Sequence, residues 1–269
     1  MEMIFCPLFS GSSGNALFVQ YRGTRLLIDA GKPGKAITEA LRSIGVEPQT
    51  LNGILITHDH TDHIIGAGVL ARRYRLPVYA TAATWRAMEK KLGPVPPELK
   101  VTFDKAQDFY LGQLGVVPFA IPHDAADPVG YRLYGGAMSI ATATDLGQFT
   151  HRVRDALAGS SLVLLESNHD PDMLRANPHY PLALKQRILG NHGHLSNDAC
   201  AEALVELASS GVKNVILGHL SGENNTPDLA MMTSESRVEL EGIRLGEDLT
   251  LDLAWRDKVG NVYTLREDA

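Results

Sequence analysis

Residues 57–63 read Thr-His-Asp-His-Thr-Asp-His and follow directly on the apolar run Gly53-Ile54-Leu55-Ile56. Three imidazoles and two carboxylates fall between His58 and His63. Gathering such groups where a buried strand stops is costly unless something offsets their desolvation. A divalent metal does so, because imidazole and carboxylate are its ligands. In extended chain, residues i and i+2 project to the same side, so His58 and His60 can grip one ion from one face. Asp62 and His63 come after the chain has turned, in the first turn of a helix expected to continue through residues 66–71. They point toward a second ion. The loop therefore holds two half-sites, and the remaining ligands must come from other segments.

The rest of the chain repeats one device: a short apolar strand that ends in a chemically useful side chain. Residues 115–121 end at His123, 138–142 near Asp145, 161–165 at Glu166 and 215–217 at His219. Sheet edges lined in this way are where α/β enzymes place their chemistry. Residues 16–19 and 25–28 read as a hairpin ending at Asp29-Ala30-Gly31. Asp29 is expected to orient the metal loop rather than to ligate. For Asp145 a helix N-cap is the competing role, since Leu146-Gly147-Gln148 could open a helix. Helices fit residues 36–44 with Gly45 as stop, 84–92 ended by Gly93-Pro94, and 199–208. Residues 249–253 and 261–265 alternate in hydropathy and suggest a closing hairpin. No Ser- or Gly-rich linker interrupts residues 1–269, which read as two β-rich layers of one domain.

Composition narrows the function classes. A chain of 269 residues with 44% hydrophobic and 21% charged residues is that of a globular protein. No apolar run is long enough to span a membrane, and Met1-Glu2-Met3-Ile4-Phe5-Cys6 lacks the pattern of a secretory signal. The only cysteines, Cys6 and Cys200, are too few for a disulfide framework and fit a reducing cytoplasm. A formal charge of −6 argues against a broad basic surface. Contact with nucleic acid would then be local, through metals and a short groove.

Taken in order, H-x-H-x-D-H after a buried strand, a later isolated His, a later Asp and a final His resemble the metallo-β-lactamase fold. Smaller motifs narrow the resemblance to its YycJ-like, or WalJ-like, branch. They are Ser10-Gly11-Ser12-Ser13-Gly14-Asn15, the run from His123 to Tyr131, Glu166-Ser167-Asn168-His169-Asp170, Gly193-His194-Leu195-Ser196-Asn197, and His219-Leu220-Ser221 with Asn224-Asn225. The resemblance implies an α/β (α+β) fold, a four-layer αββα sandwich of two mixed sheets flanked by helices. It also implies a first metal on His58, His60 and His123, a second on Asp62, His63 and His219, and Asp145 bridging both. That division agrees with the one the loop geometry suggests.

With no Cys ligand, both sites suit zinc, manganese or iron, and manganese and zinc are the leading pair. Two metals about 3.5–4 Å apart share a water and make hydroxide available near neutral pH. The fold alone does not choose what that hydroxide attacks. A phosphodiester needs a proton donor for its leaving oxygen. His194 beside Glu166 fits, because a carboxylate raises the pKa of an imidazole and fixes its tautomer. The pair resembles the acid pair of RNA-processing phosphodiesterases of this fold. Ser221, two residues after the final metal His, matches theirs as well.

Further residues are candidates for contact with substrate: Ser12, Ser13 and Asn15 in a turn that could form an anion-binding nest, Asn224 and Asn225, and His169. His169, Asp170 and His192 could equally hold the His194 loop. The resemblance implies a DNA exonuclease working from 5′ ends in a bacterial cytoplasm, with Asp62 orienting the nucleophile. The alternatives are a hydrolase of small cyclic phosphodiesters or thioesters on the same metals, and a metal-binding regulator of cell-wall signalling.

Overall fold

In the computed structural model, which describes residues 1–267, the alternating apolar runs assemble into two sheets of seven strands each. The first third of the chain contributes β1 (Glu2–Phe9), β2 (Ala16–Tyr21), β3 (Thr24–Ile28), α1 (Gly34–Ser43), β4 (Gly53–Leu55), α2 (Thr61–Ile64), α3 (Ala67–Tyr74), β5 (Val78–Thr81), α4 (Ala82–Leu92) and β6 (Lys100–Phe103). The middle gives β7 (Phe109–Leu111), β8 (Leu114–Ala120), β9 (Val129–Gly135), β10 (Met138–Ala143), α5 (His151–Leu157) and β11 (Leu162–Glu166). Then come α6 (Pro171–Ala176), α7 (Leu182–Leu189), α8 (Asn197–Ser209), β12 (Asn214–Gly218), α9 (Pro227–Leu240), β13 (Thr250–Leu253) and β14 (Tyr263–Arg266).

The strand orders are β14-β1-β2-β3-β4-β5-β6 and β13-β12-β11-β10-β9-β8-β7. Both sheets are mixed: β3 to β6 and β10 to β13 run parallel, joined mostly through helices, and the remaining pairs are antiparallel. Period-2 alternation decides which residues meet which layer. Met3, Phe5, Leu26 and Ile28 point between the sheets, against Val116, Tyr131, Ile140 and Leu164. Phe18, Leu27 and Ile54 point outward onto Ile37 and Leu41 of α1, Leu70 of α3 and Met88 of α4. On the far side Val163, Leu165 and Val215 face Leu204 and Leu207 of α8 and Val238 of α9. The architecture is the αββα sandwich. No helix among the described residues is long and apolar enough to cross a membrane.

Two local expectations change, and one competing role falls away. The terminal alternating runs are not a hairpin: β13 adds parallel to β12, while β14 adds antiparallel to β1 in the other sheet. Each sheet had an edge to fill, and alternation specifies a buried face without specifying a partner. Residues 254–262 therefore cross from one sheet to the other. The helix expected from Asp62 onward breaks into α2 and α3 at Gly66, whose N–H donates to Ala30 O at 2.8 Å. A side chain there would meet Lys32 O at 2.3 Å, so the break seats the metal loop against the loop after β3. Asp145 caps no helix, because α5 starts at His151 with Thr150 as its cap.

Candidate metal centre

Each strand end delivers its side chain to one place between the sheets' carboxyl edges. His58 and His60 leave β4, Asp62 and His63 begin α2, His123 follows β8, Asp145 follows β10, Glu166 ends β11 and His219 follows β12. His58, His60 and His123 form one cluster, and Asp62, His63 and His219 another, each with candidate ligand atoms within 4.8 Å of one another. Asp145 stands between them: its carboxylate lies 3.7 Å from His123 Nε2, 3.2 Å from His63 Nε2 and 3.7 Å from His219 Nε2.

Reaching this arrangement costs backbone strain. Asp29, Asp145 and His219 all take left-handed φ values, 60°, 60° and 56°. Such values are uncommon away from glycine and persist where the surroundings impose them. Gly31 answers a steric demand at the same place, since a Cβ there would sit 1.6 Å from Asp62 O.

The far ring nitrogens are held, which fixes the near ones. His63 Nδ1 meets Asp29 Oδ2 at 2.7 Å, His58 Nδ1 meets Thr57 Oγ1 at 2.9 Å, and His219 Nδ1 meets Glu166 Oε1 at 2.6 Å. His123 Nδ1 meets Gly193 O at 3.1 Å. Oriented from behind in this way, an imidazole presents Nε2 as a lone-pair donor. His58 Nε2 and His219 Nε2 are buried and take no hydrogen bond within the protein. His60 Nδ1 and His123 Nε2 face each other at 3.2 Å. Buried nitrogens are rarely left without a partner. Converging on carboxylates, this donor set fits divalent cations.

Electrostatics agree. Burial, reinforced by neighbouring imidazoles, lowers the pKa of His58 well below the usual histidine value and also lowers His123. Burial acts the same way on His63 and His219, but Asp145 and the other nearby carboxylates overcome it. They raise His63 well above the usual value and His219 to about 10. Burial would raise Asp145, yet His219 and His63 hold it well below the carboxylate range. The carboxylates thus demand positive charge at the place where the free nitrogens converge.

Asp29 illustrates the support. Its Oδ1 accepts from Thr57 N at 2.8 Å and its Oδ2 from Thr57 Oγ1 at 2.8 Å, besides His63. Asn tolerates the left-handed backbone, so Asp29→Asn removes the charge without adding strain. It is expected to weaken metal affinity about 10–100-fold, measured against a buffered chelator; unchanged affinity would show that Asp29 does not tune His63.

Glu166 is fully buried. Its Oε1 accepts from His194 Nδ1 at 2.9 Å as well as from His219, and its Oε2 accepts from Leu146 N at 2.6 Å and Leu195 N at 3.0 Å. Burial opposes its ionisation, but His194 and His219 bring its pKa down to about 2. Glu166 is therefore a fixed anion joining a metal-site histidine to His194. Burial lowers the pKa of His194 and the carboxylates of Glu166 and Asp145 raise it, with a net rise. The His194 ring lies 5.3 Å from those of both His123 and His219, with its side chain 20% exposed.

The residues suggested for substrate contact divide. Ser12 and Ser13 are exposed, and Ser13 accepts from Lys32 Nζ at 2.9 Å. Ser221 is half-buried, its Oγ accepting from Asn224 N at 3.1 Å. The others are buried, and the asparagines among them bond within the protein. Asn15 is buried, accepts from Gly11 N, and its backbone N–H holds Asp62 O at 2.8 Å. Asn225 donates to Ser167 O and Asn168 O, while Asn224 accepts from Asn177. The His169 ring is buried, and its backbone carbonyl accepts from Asn197 N at the start of α8. Asp170 caps α6, and His192 is exposed.

Thr57 and Asp124 stand in motifs the sequence displays but receive no role from it. Asp124 Oδ1 lies 3.6 Å from His123 Nε2, and Arg187 of α7 grips its carboxylate through two nitrogens. Nothing in sequence links residues 63 positions apart in this way.

A family model described as a beta-lactamase superfamily domain matches residues 24–220. The chain is 39% identical over 247 residues to exodeoxyribonuclease YycJ of Bacillus anthracis, covering 92% of this chain and 93% of that protein. It is 41% identical over 243 residues to exodeoxyribonuclease WalJ of Streptococcus pneumoniae, covering 90% of each. Among solved structures, the metallo-beta-lactamase fold protein YhfI from Bacillus subtilis shares the fold, with TM-score 0.74 and 17% identity over 98% of this chain and 99% of that one. Two half-sites facing one carboxylate, on a chain so closely similar to YycJ and WalJ, place this protein in the beta-lactamase superfamily, in its YycJ/WalJ branch of metal-dependent hydrolases.

Proposed function

We propose that this protein is a dimetal phosphodiesterase that degrades DNA from 5′ ends in a bacterial cytoplasm. The observation that carries the reading is His194, tied through Nδ1 to the buried anion Glu166 and seated beside both half-sites with partial solvent access. His58, His60 and His123 would hold one cation, Asp62, His63 and His219 the other, and Asp145 both. Manganese or zinc there would polarise phosphate oxygens and ease ionisation of water.

The protein's own groups do the rest. Asp62 is 28% exposed and within 3.9 Å of both His63 Nε2 and His219 Nε2, so it can orient the attacking water. His194, kept protonated by Glu166, gives its proton from Nε2 to the departing 3′ oxygen. Glu166 cannot be that donor, because it is ionised and all its contacts are internal. The names of the relatives, exodeoxyribonucleases YycJ and WalJ, support DNA as the polymer.

The test uses duplex DNA labelled at the 5′ or the 3′ end, with Mn²⁺ or Zn²⁺ added to protein of measured metal content. Early release of the 5′ label as mononucleotide, lost on chelation and restored by metal, is the expected result. Metal-loaded protein that leaves both labels on the polymer would overturn the reading.

A further inference from the structure

The segment crossing from β13 to β14 carries Trp255, Arg256, Asp257 and Lys258. It walls a pocket of about 460 Å³ whose other side is Leu220, Ser221 and Gly222, the residues directly after His219. The pocket is wired to the metal centre. Ser10 N donates to Trp255 O at 2.9 Å, and Ser10 Oγ accepts from the backbone N–H of His219 at 2.9 Å.

The lip of this pocket is basic, which is unusual on a chain of net charge −6. Arg256 lies across Gly11 and Gly222. A Cβ at Gly11 would meet its Cγ at 2.7 Å, and a Cβ at Gly222 would meet its Nη1 at 1.4 Å, so both glycines leave room for the guanidinium. Lys32 reaches the same lip, bonded to Ser13 Oγ at 2.9 Å and Asp257 Oδ1 at 3.1 Å. Lys258 Nζ lies 3.7 Å from the centroid of the Trp255 ring. Lys258 thus lies on the indole, while Arg256 and Lys32 share the one carboxylate of Asp257, Arg256 Nε meeting its Oδ2 at 2.7 Å, so the lip keeps an excess of positive charge.

We propose that this pocket is the nucleotide-holding subsite of the enzyme, in which one unpaired base of the DNA strand stacks on Trp255 while Arg256, Lys258 and Lys32 hold its flanking phosphates. It rests on the nuclease reading and deepens it. A half-buried indole beside exposed cations is how proteins hold single strands without reading sequence. Lys258 covers the ring in the free protein, but an exposed cation–π contact is weaker than base stacking. The incoming base displaces the ammonium, which is then free for a phosphate. A local site of this kind reconciles an acidic protein with a polyanionic substrate.

Trp255→Ala is expected to raise KM for single-stranded DNA about tenfold, with Trp255→Phe restoring most of the affinity. The loss on DNA should exceed that on a chromogenic phosphodiester, which has no base to stack. Lys258→Gln should flatten the salt dependence of DNA binding by about one unit of log–log slope. Fluorescence gives a direct reading, because the only other tryptophan, Trp85, is buried with its Nε1 bonded to Val101 O. In Trp85→Phe protein, a nuclease-resistant phosphorothioate oligonucleotide should quench the remaining emission. Folded Trp255→Ala protein with native KM on DNA, or absence of quenching, overturns the subsite while leaving the nuclease reading intact. Quenching by a protein that releases no label from DNA upholds the subsite and removes the nuclease reading.

Discussion

Asp145→Asn is expected to lower kcat/KM on DNA by more than about a thousandfold, roughly 4 kcal/mol of transition-state stabilisation, and to leave at most one tightly held metal per chain. Asparagine tolerates the left-handed backbone at φ 60°, so the change tests charge rather than strain. The carboxylate lies within 4 Å of Nε2 of His123 from one half-site and of His63 and His219 from the other. Its loss leaves His63 and His219 facing Asp62, Asp29 and Glu166 alone, which changes the charge balance at both clusters at once. Because each cluster retains three other side chains, one cation can still bind weakly; two cannot be held at the same spacing without the shared anion. Metal analysis beside steady-state kinetics reads both effects. A variant retaining two ions and native turnover would remove Asp145 from the bridging role.

How far the sequence could be read depended on whether the relevant signal was local. The H-x-H-x-D-H loop is legible because its candidate ligands lie within six residues and the i, i+2 rule divides them. Strand ends at His123, Asp145, Glu166 and His219 were legible from apolar runs followed by a polar residue. What pairing those strands adopt was less legible: β13 and β14 carry the alternation of a hairpin and join opposite sheets. The same limit hid the pocket at Trp255, which exists only because the chain crosses there. Hydrogen-bond reciprocity was also invisible. Asn15, Asn224 and Asn225 are polar residues in conspicuous motifs, yet their buried amides bond to neighbouring loops, whereas both ring nitrogens of the buried His169 take no hydrogen bond. The sequence pairs Glu166 with His194, and the structure adds His219 as a second partner of the same carboxylate oxygen. That second bond changes its meaning, since one carboxylate now touches both a histidine of the candidate metal centre and the proposed proton donor.

His194→Ala is expected to lower kcat on DNA about 10²–10⁴-fold, the usual contribution of a general acid, while metal content stays at the native level. The imidazole lies outside both three-residue clusters, and because it also groups with Asp145, Glu166 and His219, metal analysis of the variant is part of the test. The loss should be small on a nitrophenyl phosphodiester, whose leaving group needs no proton. A pH profile separates chemistry from positioning. With its pKa raised by Glu166 against the opposing effect of burial, His194 remains the acid to a higher pH than an ordinary histidine. Activity on DNA should therefore decline on the alkaline side as His194 deprotonates, and His194→Ala should abolish that limb. Glu166→Gln removes the charge that raises His194, so the limb should move to lower pH, with metal affinity weakened through His219. An equal loss on both substrates in His194→Ala protein, with an unchanged profile, would make the imidazole a positioning group. The proton for the 3′ oxygen would then have to come from solvent.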